Sequence, residues 1–373
     1  MTDLIETSSL PALTLTVDEM AGESNYRREV EHFFSRGWLY LCHHSEIPAA
    51  GDFLSLELAE RRIFVVRTRD GGVAAHYNVC PHRGSELVTS DSGNCGRTIS
   101  CPYHGWAFGH QGEFIGAPYR PDGLVGSQWG LRTLQTDVWN GMVFVSFSRV
   151  PIGAVEIQLA GVDLEQWQLG AAKVVSKTEY VVEANWKVLW ENGLECYHCG
   201  LNHPELAKVV NIVRDGPQPN HLSQGEFDYR PTFPLLPHAK SATLDGEYGC
   251  SRLLGGIDAA PTGMGFLQWH TSIFEVVLSP DNAHIMTYLP LSPSRSLVRM
   301  AMLVHHDARE GIDFEQDRLN GLQQTVRKQD DVVCERVQRG LESGAYASGP
   351  YNPAYEFMNQ NFVRLYREVM SEA

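Results

Sequence analysis

The sequence predicts an α+β chain of two domains, a small all-β domain followed by a larger one that combines an antiparallel sheet with long helices. The chain has 373 residues, more than one hydrophobic core usually organises. Short β-rich runs separated by turn residues fill residues 39–150, and beyond Pro151 helical stretches alternate with strands. The expected units are N-terminal helices over 1–38 packing on the second domain, an all-β domain over 39–150 and the α+β domain over 151–373.

Residues 17–38 mix charge with Phe33, Phe34 and Trp38 at helical spacing behind a cap at Thr16 or Asp18, which reads as one or two surface helices. Residues 53–56 and 63–66 are β-rich, with turns at Gly51-Asp52 and Asp70-Gly71-Gly72, and the all-β pattern runs on to 142–147. In the second domain strands are expected over 178–183, 284–289 and 297–304, and helices over 313–342 and 354–370. No internal repeat appears.

With 43% hydrophobic and 20% charged residues, the chain reads as folded throughout. Thirty Lys plus Arg stand against 45 Asp plus Glu, a net charge of -15, which argues against a nucleic-acid partner. That charge is compatible with a cationic substrate, although an acidic surface also simply keeps a protein in solution. The eight cysteines (42, 80, 95, 101, 196, 199, 250 and 334) are scattered, which favours metal binding over a secreted disulfide framework. Residues 1–6 lack a basic-then-apolar leader, and no run of about 18 apolar residues occurs, so a cytoplasmic location with no membrane association is expected.

The first chemical constellation is Cys80-Pro81-His82-Arg83-Gly84 with Cys101-Pro102-Tyr103-His104-Gly105-Trp106. A Cys2His2 zinc site is the obvious competitor, but there the cysteines and histidines come as separate pairs. Here each loop supplies one of each, which suits a diiron cluster with two sulfurs on one iron and two nitrogens on the other. Pro81, Gly84, Pro102 and Gly105 fit tight loops around such a cluster. Cys95 matches no ligand position and reads as a packed thiol.

The second constellation lies in residues 185–203, where helical spacing brings Asn192, Glu195 and His198 to one face. His203 lies five residues past His198, so the helix is expected to loosen near Gly200. Two histidines and a carboxylate from elsewhere make the facial triad of non-haem Fe(II) oxygenases. The carboxylate candidates are Asp330 and Asp331. Cys196 and Cys199 form a lone CxxC and read as packing residues.

The two Cys-x-His and Cys-x-x-His boxes resemble those of the Rieske family, and the likeness extends over nearly the whole chain. It implies a Rieske [2Fe–2S] domain, its cluster on Cys80, His82, Cys101 and His104, attached to a helix-grip catalytic domain with mononuclear iron on His198, His203 and Asp330, Asp331 remaining the alternative. It further implies that Glu195 bridges an iron ligand, His198, to a cluster ligand, His104, of a neighbouring subunit, in a homotrimer or α3β3 assembly. No G-x-G-x-x-G opens a helix, so NAD(P)H is expected to act only through a separate flavin or iron–sulfur reductase.

The block 184–203 and Gln338-Arg339-Gly340 look most like the branch that oxidises quaternary ammonium compounds such as glycine betaine, stachydrine, choline and carnitine. In that branch O2 is used to hydroxylate an N-methyl group, giving a hemiaminal that releases formaldehyde. Phe266, Trp269, Phe274 and Tyr288 are the candidates for an aromatic cage around such a cation. The rivals are ring hydroxylation or O-demethylation by the same metals, and, in another class, a Rieske electron carrier. A carrier would not need the 223 residues that follow Val150.

Overall fold

The computed structural model describes residues 12–120, 122–151, 164–212, 222–224, 227–255 and 263–371; residues 1–11 of the expected N-terminal unit and 152–163 near the expected junction lie outside the described residues. Thr16 caps α1 (Val17–Ala21), its hydroxyl accepting the Glu19 N–H at 3.2 Å while the Glu19 carboxylate takes the Thr16 N–H at 2.8 Å. Next come α2 (Glu23–Arg28), one π-helical turn (Glu29–Phe33) and α3 (Phe34–Arg36). These helices are not superficial. Tyr26, Val30, Phe33 and Phe34 are buried, because their i, i+3 and i+4 face finds Trp186 and Tyr366 of the catalytic region. Glu29 sinks with them, accepting from Lys187 Nζ at 2.5 Å, Trp186 Nε1 at 2.7 Å and Tyr366 Oη at 2.5 Å.

The strands β1 (Leu39–His43), β2 (Asp52–Leu58), β3 (Arg61–Arg67), β4 (Val73–Tyr77), β5 (Ser92–Asn94), β6 (Ile99–Ser100), β7 (Ala107–Phe108), β8 (Phe114–Gly116), β9 (Gln135–Trp139) and β10 (Met142–Ser146) form three small antiparallel sheets. Their orders are β1-β10-β9, β4-β3-β2-β5 and β6-β7-β8. One cysteine box follows β4 and the other follows β6, so two sheets each present a loop to a shared core that contains Phe64, Cys80, Cys101, Trp106 and Phe108.

In the rest of the chain come β11 (Lys173–Val182), α4 (Trp186–Gly193), α5 (Cys199–Asn202), β12 (Leu222–Gln224), β13 (Phe227–Pro234), β14 (Gly263–Trp269), β15 (Phe274–Leu278), β16 (Ala283–Ser292) and β17 (Arg295–Val304), then α6 (Gln316–Glu342) and α7 (Phe357–Ser371). The strands make one antiparallel sheet in the order β11-β17-β16-β15-β14-β13-β12. On β14 and β15 alternate residues face opposite ways. Leu267, Trp269, Phe274, Val276 and Leu278 join a core with Tyr40 and Phe144, whereas Phe266, Gln268, Glu275 and Val277 look into a cavity.

Helix α6 buries Leu319, Leu322, Arg327, Asp330, Cys334, Gln338 and Leu341, a stripe at helical spacing. Two full charges on a buried stripe are the informative departure, since such groups need partners. Helix α4 starts at Asn185, whose side chain accepts the Lys187 N–H at 2.9 Å, and Gln338 of α6 accepts the Asn185 N–H at 3.0 Å. Among the described residues no helix is long and apolar enough to cross a membrane.

Candidate metal centres

The two cysteine loops repeat one construction. In each, a glycine four residues after the cysteine donates its N–H to the cysteine carbonyl, Gly84 to Cys80 at 2.9 Å and Gly105 to Cys101 at 3.0 Å. Both glycines sit at left-handed φ, +74° and +68°, which L side chains rarely adopt. The cysteine N–H groups close the other ends, Cys80 on the Ser85 carbonyl and Cys101 on the Trp106 carbonyl, each at 2.8 Å.

The Cys80 and Cys101 thiols lie within hydrogen-bond reach, and burial pushes the Cys80 thiol up from its ordinary value. The His82 and His104 rings are 4.7 Å apart, and His82 stacks on Trp106 at 4.7 Å. His104 Nδ1 is buried without a hydrogen-bond partner. Two thiols, two imidazoles and an orphaned ring nitrogen fit a cluster with mixed sulfur and nitrogen ligation. Cys95 stands apart, its sulfur 3.7 Å from His110 Nε2.

The second constellation differs locally from the expected helix. Helix α4 stops at Gly193 rather than loosening near Gly200. The reason is the Glu195 carboxylate, which accepts the N–H groups of Tyr197 and His198 and so competes with helical carbonyls. That turn brings Cys196 and Cys199 together as a disulfide, S–S 1.97 Å, where separate packing residues were expected. Cys199 Sγ lies close to both His198 and His203, but the disulfide withdraws it as a ligand.

Three atoms converge beside this turn. His203 Nε2 is 3.0 Å and His198 Nε2 is 3.3 Å from Asp330 Oδ1, an atom buried without a hydrogen-bond partner. Two imidazole nitrogens and one carboxylate oxygen on one side of a point fit Fe(II). The second nitrogen of each ring is held from behind, His198 Nδ1 by Glu195 Oε1 at 2.5 Å and His203 Nδ1 by Gln329 Oε1 at 2.9 Å.

Asn192 Nδ2 lies 3.4 Å from His198 Nε2, and its Oδ1 is buried without a partner. Asp331 points elsewhere, accepting from Tyr180 Oη at 2.9 Å and Arg327 Nη2 at 2.8 Å. Burial disfavours charge on Asp330, yet His198, His203 and Arg327 hold its carboxyl below the usual range. Burial likewise opposes a charged His198, but Asp330 and Glu195 outweigh it and raise His198 to about 9. A dication would take the place of that proton.

The triad borders a cavity of about 120 Å³ whose walls include Leu206, Val210, Phe266, Val277, Met286 and Met358. Of the four aromatics expected to cage a cation, only Phe266 lines it. Trp269 and Phe274 fall on the opposite face of their strands, packed against Phe144 at 5.3 and 5.2 Å. Tyr288 is fully buried beside Arg327 and Trp190. Sequence reasoning did not single out Gln329, Arg327 or Glu275. The last had a legible signal, a lone carboxylate in the apolar run Phe274-Glu275-Val276-Val277-Leu278.

Residues 37–135 match the Rieske [2Fe-2S] domain, and residues 169–372 match the ring hydroxylating alpha subunit (catalytic domain). A glycine betaine monooxygenase oxygenase subunit of Pseudomonas aeruginosa (strain UCBPP-PA14) is 33% identical over 371 residues, covering 92% of this chain and 85% of its own. The crystal structure of the quaternary ammonium Rieske monooxygenase CntA is similar with TM-score 0.78 at 22% identity, over 97% of this chain and 95% of that one. Naphthalene 1,2-dioxygenase from Rhodococcus sp. gives 0.75 at 19% identity, over 96% and 94%. At those identities the two structures establish a shared fold. With both domains matched and a relative 33% identical across nearly its whole length, the chain belongs to the Rieske non-haem iron oxygenases, as an oxygenase subunit with a [2Fe–2S] cluster and a mononuclear iron.

Proposed function

We propose that this oxygenase subunit hydroxylates an N-methyl group of a small quaternary ammonium or betaine compound, releasing formaldehyde and the demethylated amine. The observation that carries the oxygenase chemistry is the convergence of His198 Nε2 and His203 Nε2 on Asp330 Oδ1 at the edge of a largely apolar cavity. The glycine betaine monooxygenase relative supports the substrate class. In this reading Cys80, His82, Cys101 and His104 hold the cluster, and His198, His203 and Asp330 hold the iron. Iron in such a triad supplies dioxygen activation, fed by electrons that a reductase passes to the cluster.

The chain's own residues then have separate tasks. Glu195 and Gln329 fix the two imidazoles so that each presents Nε2. Asn192 places a carboxamide beside His198 Nε2, and the apolar walls keep water from the reacting methyl group. His82 is exposed and His104 partly so, which supports electron passage between copies in a homotrimer, from His104 of one subunit to Glu195 of the next.

The same apolar walls would accept an aromatic ring, so ring hydroxylation or O-demethylation is the second reading. The test is reductase-supported oxygen consumption and formaldehyde release over a panel of betaines and aromatic acids, on protein verified to hold its metals. Formaldehyde matched to oxygen with a betaine is the expected result. Coupled turnover only with aromatic compounds would overturn the proposal, and an iron content lacking the mononuclear ion would point to a carrier.

A further inference from the structure

Without an aromatic cage, a cationic head group entering the cavity needs another partner, and strand alternation supplies one. Gln268 of β14, Glu275 of β15 and Met286 of β16 are register partners in one row across the sheet, and all three line the cavity. Glu275 is only 5% exposed. Gln268 Nε2 donates to its Oε2 at 2.5 Å and to the Gly193 carbonyl at 2.7 Å, so both amide hydrogens are committed and the carboxamide is locked as a donor.

Among the described residues, no Lys, Arg or His approaches the Glu275 carboxylate within 4.0 Å. Among the described residues of the lining Arg327 is the one permanent cation; its charge acts on Glu275 from a distance, while its guanidinium is engaged by Asp331 at 2.8 Å, Asp330 at 3.6 Å and Tyr288 Oη at 3.2 Å. A buried carboxylate without a counter-ion is costly, and such charges persist when paired. Burial accordingly pushes Glu275 up to about 7.

We infer that Glu275 is the specificity-determining residue of this cavity, its carboxylate receiving the trimethylammonium group of the substrate. The inference rests on the proposed quaternary ammonium reading and names the group that carries it out. A quaternary ammonium has no N–H to donate, so it makes no hydrogen bond and is held by charge and by its methyl surface. Glu275 supplies the first, and Phe266, Val277 and Met286 supply the second. A neutral molecule of the same shape would keep the methyl contacts and leave the carboxylate uncompensated.

The test measures binding of glycine betaine and of its carbon isostere, in which a tert-butyl group replaces the trimethylammonium, by calorimetry on the intact oxygenase. Cluster absorbance and iron content are checked in every variant. Wild type is expected to prefer betaine by about tenfold or more, and Glu275→Gln, which keeps shape and removes charge, to bind the two within about threefold. Glu275→Asp should bind betaine more weakly yet still favour the cation; equal binding by this variant would overturn the inference. If Glu275→Gln keeps the wild-type preference, the assignment of Glu275 fails while the proposed function stands. If wild type binds no quaternary ammonium compound, the proposed function fails and the inference falls with it.

Discussion

Gln329→Met is expected to loosen the mononuclear iron without touching the cluster, and the size of the effect follows from the hydrogen bonds. Glu205 Oε2 can only accept, and it lies 2.7 Å from Gln329 Nε2, so the carboxamide must turn its NH2 toward Glu205. Gln329 Oε1 is then left facing His203 Nδ1 at 2.9 Å, which makes Nδ1 the protonated nitrogen. Nε2 is thereby left as a bare lone pair on the side of Asp330.

Methionine fills similar space and accepts poorly, so the His203 N–H, on a ring 1% exposed, loses its partner and the imidazole its fixed tautomer. Removing such an outer partner costs about 10–100-fold in metal affinity, roughly 1.4–2.7 kcal/mol. The assay is dialysis against graded chelator, with iron counted per chain and the cluster followed by its visible absorbance. Wild-type retention of the mononuclear iron by Gln329→Met would refute the reasoning.

Three further predictions follow from neighbouring contacts. Asp330→Ala should empty the mononuclear site and spare the cluster, whereas Asp331→Ala should keep the iron; iron counts that fall in neither variant would sink the triad. Glu195→Gln should retain both metals but slow substrate-dependent reoxidation of the reduced cluster by about 10–100-fold, measured by stopped flow; an unchanged rate would remove Glu195 from the electron path. Glu191 is half-buried, its Oε1 shut off from solvent and its Oε2 accepting from Tyr351 Oη at 2.9 Å, and desolvation raises it from 4.5 to about 7, so between those values the folded state keeps a proton that the unfolded chain has released. Stability should therefore fall by roughly 3 kcal/mol as pH rises from about 4.5 to about 7, and Glu191→Gln should flatten that slope in Tm measurements at pH values on either side.

The parts of the site set by short-range covalent spacing were legible in the sequence. Cys80 and Gly84, and Cys101 and Gly105, specify their loops because a carbonyl-to-amide closure with a left-handed glycine is a local event. The C-terminal helices and the strands around 284–304 were legible for the same reason, through periodicity. What failed depended on choices between faces. Phe266 and Trp269 are an odd number of residues apart on one strand, so both could never face the same cavity. The end of α4 was misplaced because Gly193 alone does not mark it: the Glu195 carboxylate, taking the N–H groups of Tyr197 and His198, ends the helix there. The depth of α2 and its π-helical turn was hidden too, since Glu29 marks them as surface until Lys187, Trp186 and Tyr366 are seen around it.

The placement of Asp330 and Asp331 shows how one helix directs two adjacent carboxylates differently. Adjacent residues on a helix are rotated by about 100°, so the two carboxylates leave the helix in different directions. Arg327, one turn earlier, reaches both, at 3.6 Å to Asp330 and 2.8 Å to Asp331, and fixes the helix face between them. Asp331 is also held by Tyr180 of β11, which pins the rotation of α6 against the sheet and leaves Asp330 directed at the histidines. The residue that does not face the histidines thus sets the angle at which its neighbour does. Asp331→Ala should accordingly keep its iron yet hold it less tightly than wild type in the chelator series, a graded loss that a purely superficial Asp331 would not produce.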